Sequence, residues 1–165
     1  MDKTTSELRI PAQPEYILVA KRAAAGFACV AGFDVEGIDD VVIAVAQACQ
    51  NAIACCERSG GCERAELRIT FSIKDHRLEM QVRSMRGPGV MPALHEHGPT
   101  PSETAAVAAR KAADRRRAAE QTRAEAEAAT DLALRVMGLF VDDYGYRLDE
   151  RTGGLRVRLT KYRVR

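Results

Sequence analysis

Ile43-Ala44-Val45-Ala46-Gln47-Ala48-Cys49-Gln50-Asn51-Ala52-Ile53-Ala54-Cys55-Cys56 is the stretch that decides how the chain reads. It holds neither Gly nor Pro, and good helix formers fill it. Val42, Val45 and Ile53 recur at spacings that suit a buried helical face, with Cys49 between them. Two amides interrupt that face. Gln47 and Asn51 lie four apart, so their side chains stack on one side of the helix. Helix geometry by itself favours a plain account, either a hydrogen-bonded pair or the wet side of an amphipathic helix. The functional account is a former ligand site.

Working outward, the 165 residues are enough for one domain with a sizeable core. Aromatic residues make up 5% and Trp is absent, so that core has to be aliphatic and rich in Ala. A net charge of +2 does not by itself argue for a nucleic-acid partner. No apolar run approaches a membrane span, and Met1 to Ile10 lacks the apolar core of a signal peptide, so the expected location is the cytoplasm. The five cysteines (Cys29, Cys49, Cys55, Cys56, Cys62) are then expected to be reduced, several as small core hydrophobes. Cys55, Cys56 and Cys62 with His95 and His97 argue poorly for zinc: they contain no CxxC pair, and adjacent helical Cys point about 100° apart.

Before the central helix, Glu7 to Pro11 reads as a short strand stopped by Pro11 and Pro14. Tyr16, Val19, Ala20, Ala23, Phe27 and Val30 keep a helical period up to Gly32. Asp34 to Gly37 reads as a connecting turn, and Asp39 and Asp40 as the first-turn acids of the central helix. After it, Ala65, Leu67, Ile69, Phe71 and Ile73 alternate with polar residues, the cleanest strand signal in the chain. Lys74 to Arg77 turns the chain back into a second strand carrying Leu78, Met80 and Val82.

Arg86 to Pro101 is a loop dense in Gly and Pro. From Ser102 to about Ala129 the residues are helix formers with no aliphatic face, so this helix is not core, and Arg115-Arg116-Arg117 reads as its solvated side. Leu132 to Val141 is expected to return to the core. Tyr144 to Leu148 and Leu155 to Tyr162 read as two strands around a Gly153-Gly154 turn, the second with Arg156, Arg158 and Lys161 outward, at or near a sheet edge. Helices on one face of a mostly antiparallel sheet make an α+β two-layer sandwich.

Leu8-Arg9-Ile10-Pro11-Ala12, Val45 to Ala52 and Gly154 to Lys161, in that order, resemble bacterial anti-sigma-factor serine kinases. These belong to the Bergerat-fold (GHKL, histidine-kinase-like) ATPases. The resemblance covers most of the chain and implies a single domain over residues 1–165. Within it, residues 90–130 form a divergent loop and Ala/Arg/Glu helix where the ATP lid would be.

The family's central helix carries Glu-x-x-x-Asn, a general base and a ligand for Mg²⁺. Here Gln47 stands at the base and Asn51 is retained. A neutral amide does not accept a proton at physiological pH, and losing a general base costs roughly 10²–10⁴-fold in rate. The Asp that reads adenine in Asp-x-Gly-x-Gly is replaced by Ser84 or, in the alternative alignment, Met85, ahead of Gly87 and Gly89. Gly-Leu-Gly-Leu becomes Asp131-Leu132-Ala133-Leu134, which adds a β-carbon and a negative charge near the phosphates.

The resemblance therefore implies a vestigial nucleotide site at Gln47, Asn51, Ser84, Gly87 and Gly89, with no catalytic residue. No cofactor is expected, and ATP with Mg²⁺ on Asn51 only if the site still works. What remains is regulation of transcription by partner switching. The chain would be a dimer, binding a sigma factor or an antagonist protein through the first helix, where Lys21 and Arg22 are the candidates. An active ATP-dependent serine/threonine kinase is the alternative. Direct nucleic-acid binding ranks low because aromatic platforms are sparse and acids are interleaved.

Overall fold

The computed structural model describes residues 4–58, 65–85, 116–117, 120–121, 124, 128, 132–133, 135–149 and 154–163. The chain forms two compact units, Met1–Val90 with Ala133–Arg165, and Met91–Leu132. In the second, Arg116, Arg117, Glu120, Gln121, Ala124, Ala128 and Leu132 are helical, as their composition favours. The expected Gly/Pro loop, with His95 and His97, lies outside the described residues.

The first unit is built on strands β1 (Thr4–Pro11), β2 (Glu66–Lys74), β3 (Arg77–Met85), β4 (Asp143–Asp149) and β5 (Gly154–Tyr162). Their order is β1-β2-β3-β5-β4, and every neighbouring pair is antiparallel. Helices α1 (Ile17–Val30) and α2 (Val35–Arg58) form the second layer. The two helices pack together, and α2 lies on β3 and β5. This is the expected α+β sandwich.

Small residues carry the helix layer. Ala20, Ala24 and Ala28 of α1 and Ala44, Ala48 and Ala52 of α2 are fully buried, each set at i, i+4, i+8. Beneath them lie Leu67, Ile69 and Phe71 of β2, Leu78, Met80 and Val82 of β3, and Leu155, Val157 and Leu159 of β5. Phe27 stacks on Phe71 with ring centroids 4.4 Å apart, joining α1 to the sheet.

Several expectations need correction. The periodic residues Tyr16, Val19 and Val30 face solvent, and Ile17 with the alanines takes the buried side of α1. Hydrophobic size misled here, because close helix packing selects small side chains. Asp34 to Gly37 is not a separate turn. Asp34 caps α2: the Gly37 backbone N–H donates to Asp34 Oδ1 at 2.9 Å, so the first-turn acid is Glu36 rather than Asp39 or Asp40. Among the described residues from Leu132 to Val141, only Met137 and Val141 are buried, while Phe140 packs against the core and Leu139 is 80% exposed. Lys161 does not point outward. It continues the inner face of β5 and donates to Asp40 Oδ2 at 2.8 Å and to the Phe140 carbonyl at 3.0 Å. The period of two simply runs on past Leu159. Finally, α2 is long and apolar enough to cross a membrane by length and composition, contrary to the reading of the sequence. Its buried residues, from Gly37 to Cys56, belong to the core of the first unit.

The end of α1 depends on Gly32. Its N–H donates to the Cys29 carbonyl and that of Phe33 to the Ala28 carbonyl, with Gly32 at φ +80°, the Schellman arrangement. Arg163 lies against this turn, and a β-carbon on Gly32 would sit 2.3 Å from its Nη1. Gly32→Ala is expected to lower stability by about 1–2 kcal/mol from the backbone conformation alone, plus the displacement of Arg163. Urea denaturation measures this.

Cys29, Cys49, Cys55 and Cys56 are all free thiols, and the last three are buried. Burial pushes the Cys49 thiol up to about 12 from an ordinary 9.0. Between those values the folded chain keeps a proton that the unfolded chain releases, so stability falls as pH rises from about 9 to 12. The slope that this one group contributes is at most about 1.4 kcal/mol per pH unit. Urea titrations across that range are expected to show a shallower fall in Cys49→Ala than in the parent.

Candidate functional site

The amide pair sits midway along α2. Helical geometry brings Gln47 and Asn51 together, both half-buried, and Gln47 Nε2 donates to Asn51 Oδ1 at 3.4 Å. That bond is long and correspondingly weak. Asn51 Nδ2 is buried and has no hydrogen-bond partner among the described residues. The pair therefore consists of one occupied oxygen and one orphaned donor.

Mg²⁺ takes oxygen ligands, and the Asn51 oxygen, which accepts one long bond from Gln47, keeps a second lone pair that could serve the ion. Gln47, being neutral, adds no charge to hold a cation there. A neutral or anionic acceptor fits the orphaned N–H better. No group of three or more His, Cys, Asp or Glu among the described residues is placed to hold a metal.

Ser84 lies on the inner face of β3 and is buried. The Leu155 backbone N–H donates to Ser84 Oγ at 2.9 Å, and the hydroxyl is 3.4 Å from the Leu155 carbonyl. The register extends the β3–β5 ladder as far as Arg83 opposite Arg156, and Ser84 continues it with a side chain. Its hydroxyl is thus committed to the sheet. No hydrogen bond joins Ser84 to Gln47 or Asn51 among the described residues.

Gly87 and Gly89 lie outside the described residues, as do Asp131 and Leu134, whereas Leu132 and Ala133 are helical. Lys21 and Arg22 are exposed on α1, beside Leu18 and Val19, themselves 59% and 44% exposed. A polar cleft of about 260 Å³ opens at the other end of α2, among Asp34, Glu36, Asp40, Asp142, Lys161 and Arg163. Asp40 is eleven residues before Asn51, roughly 16 Å along the helix axis, so this cleft is separate from the amide pair. Next to the pair, Cys55 Sγ accepts from Arg58 Nη2 at 3.1 Å. Burial raises the Cys55 thiol against the opposing pull of that guanidinium, which keeps it protonated and unsuited to nucleophilic work.

The five-stranded antiparallel sheet with its helix layer is consistent with one family. The model of the histidine kinase-like ATPase domain matches residues 10–161. The chain belongs to that family. It is similar to the serine-protein kinase RsbW of Bacillus pumilus, with 35% identity over 81 residues, covering 49% of this chain and 50% of the relative. The RsbW of Listeria innocua is 36% identical over 81 residues, covering 49% of each chain. The Bacillus subtilis protein of the same name is 34% identical over 76 residues, covering 46% of each. The chain thus spans about half the length of the curated relatives it matches.

Two substitutions separate structure from site. Ser84→Ala leaves the buried Leu155 N–H without a partner and is expected to cost about 1–3 kcal/mol. Asn51→Leu removes an orphaned buried donor and is expected to leave stability unchanged or raise it. Urea denaturation of both variants against the parent is the measurement.

Proposed function

We propose that the chain is an anti-sigma-type regulator that acts by protein binding in partner switching, in the cytoplasm and as a dimer, without ATP-dependent kinase chemistry. The observation that carries the loss of chemistry is the neutral amide pair. Where the resembled family has a general base, Gln47 offers no proton acceptor of useful strength, and its side chain is bonded to Asn51 instead. The commitment of Ser84 to the Leu155 backbone supports the same reading, because the adenine amino group would find no carboxylate there. Lys21 and Arg22, exposed beside Leu18 and Val19 on α1, are the residues assigned to the partner, a sigma factor or its antagonist. A basic and apolar mixture of this kind suits a protein interface.

The second reading, an active serine/threonine kinase using ATP and Mg²⁺, is favoured by what the relatives are, serine-protein kinases. Calorimetry with ATP and Mg²⁺ separates the two. The expected result is no saturable heat at millimolar ATP and no phosphate transfer to proteins that copurify from the native host. A micromolar dissociation constant would establish the kinase reading instead. The binding role stands or falls separately, on recovery of a sigma factor or antagonist by the parent chain and its loss in the Lys21→Glu/Arg22→Glu variant.

A further inference from the structure

The strand registers place five arginines in one straight row across the face of the sheet opposite α1 and α2. Arg9 of β1 stands opposite Arg68 of β2, Arg68 opposite Arg83 of β3, Arg83 opposite Arg156 of β5, and Arg156 opposite Arg147 of β4. Four of the five are exposed and Arg68 is half-buried, so the row is open to solvent. Arg158 of β5, also exposed, is one step away on the same face.

Like charges directly opposite one another weaken a sheet. Opposed Cβ atoms lie only about 4.5–5.5 Å apart, inside the screening length of ordinary salt solutions. One end of the row is relieved: Glu7 pairs with Arg9 at 2.7 Å and with Arg68 at 3.4 Å. Arg158 has Asp143 at 3.8 Å. Arg83, Arg156 and Arg147 have no ion pair among the described residues. A row that works against the local stability of the sheet, and that the fold does not need, points to a use outside the fold.

We propose that this arginine row is a docking site for an acidic segment of a partner protein. Five strands span four intervals, about 19 Å, which an extended peptide of about six residues matches. Guanidinium forks hold carboxylates in bidentate pairs, so a run of Glu or Asp supplies the complementary charge. The flanks choose peptide over nucleic acid. Glu66 and Glu7 border the row on its two sides, and Glu79 and Asp143 lie farther out on the same face. A duplex backbone would meet those carboxylates, whereas a single narrow chain does not. Single strands also need aromatic platforms, and Tyr162 at one corner is the only aromatic side chain on this face among the described residues. The inference does not depend on the reading of Gln47 and Asn51, and it concerns a surface distinct from Lys21 and Arg22 on α1.

Fluorescence anisotropy with labelled octaglutamate tests it, alongside a labelled single strand and duplex of DNA of similar charge. The expected result is saturable octaglutamate binding at low salt that weakens with added salt and is tighter than either DNA. The Arg83→Gln/Arg156→Gln variant is expected to bind at least tenfold more weakly, with a melting temperature equal to or above that of the parent. Arg116→Gln/Arg117→Gln makes the same change of net charge on exposed positions of the second unit and is expected to bind as the parent does. Absence of octaglutamate binding, equal losses in the two variants, or a melting temperature well below the parent for Arg83→Gln/Arg156→Gln would overturn the proposal. Tighter binding to DNA would replace it with a nucleic-acid surface.

Discussion

The first unit depends on the burial of α2 against β3 and β5. The chain has no Trp and four Phe, so it lacks the large side chains that usually fill such an interface. It closes the gap by bringing backbones together instead. Alanine stripes on both helices let the helix layer sit close, and the branched and sulfur-bearing residues of the sheet fill the space beneath. Little conformational entropy is lost by burying Ala, which suits a core with a modest apolar payload. A few polar ties then hold the layers in register. Lys161 bridges the sheet to Asp40 and to the Phe140 carbonyl, Ser84 fastens β3 to Leu155, and Arg163 reaches the Ala31 carbonyl at the end of α1.

Such a core leaves little tolerance for polar groups in the middle of α2, which makes the amide pair informative. Gln47 and Asn51 satisfy each other only partly, and one buried donor remains orphaned. A helix selected for stability alone would place apolar residues there. The pair is a cost to the helix that packing alone does not explain.

The two faces of the sheet carry different obligations. The inner face is governed by packing, and its one long cation, Lys161, is tied down by two acceptors. On the outer face Ser72 and Thr160 are buried, but farther along the same strands the face stays open, and there arginines stand opposite arginines across all five strands. Membership of the histidine kinase-like ATPase family accounts for the inner face and the helix layer.

Much of this was legible in order along the chain. Alternation from Ala65 to Val82 marked the hairpin, because a half-buried strand has to repeat every two residues. The Gly- and Pro-free run from Ile43 to Cys56 marked the central helix, and Gln47 over Asn51 followed from 3.6 residues per turn. Local periodicity did not reveal which side of α1 would be buried, since close packing against α2 preferred alanine over Val19 and Val30. It also missed the Asp34 cap, although an Asp three residues before Gly37 is a cap signal, and it misassigned Lys161 by one position of phase. The arginine row was invisible for a different reason. Its members are spread from Arg9 to Arg156, and only the pairing of strands brings them into one line. The sequence alone determined which segments become helices and strands and which helix carries the amides, because those depend on neighbours a few residues away. The tertiary structure alone decided which faces meet and which charges face each other, because register and packing join residues that the chain keeps far apart.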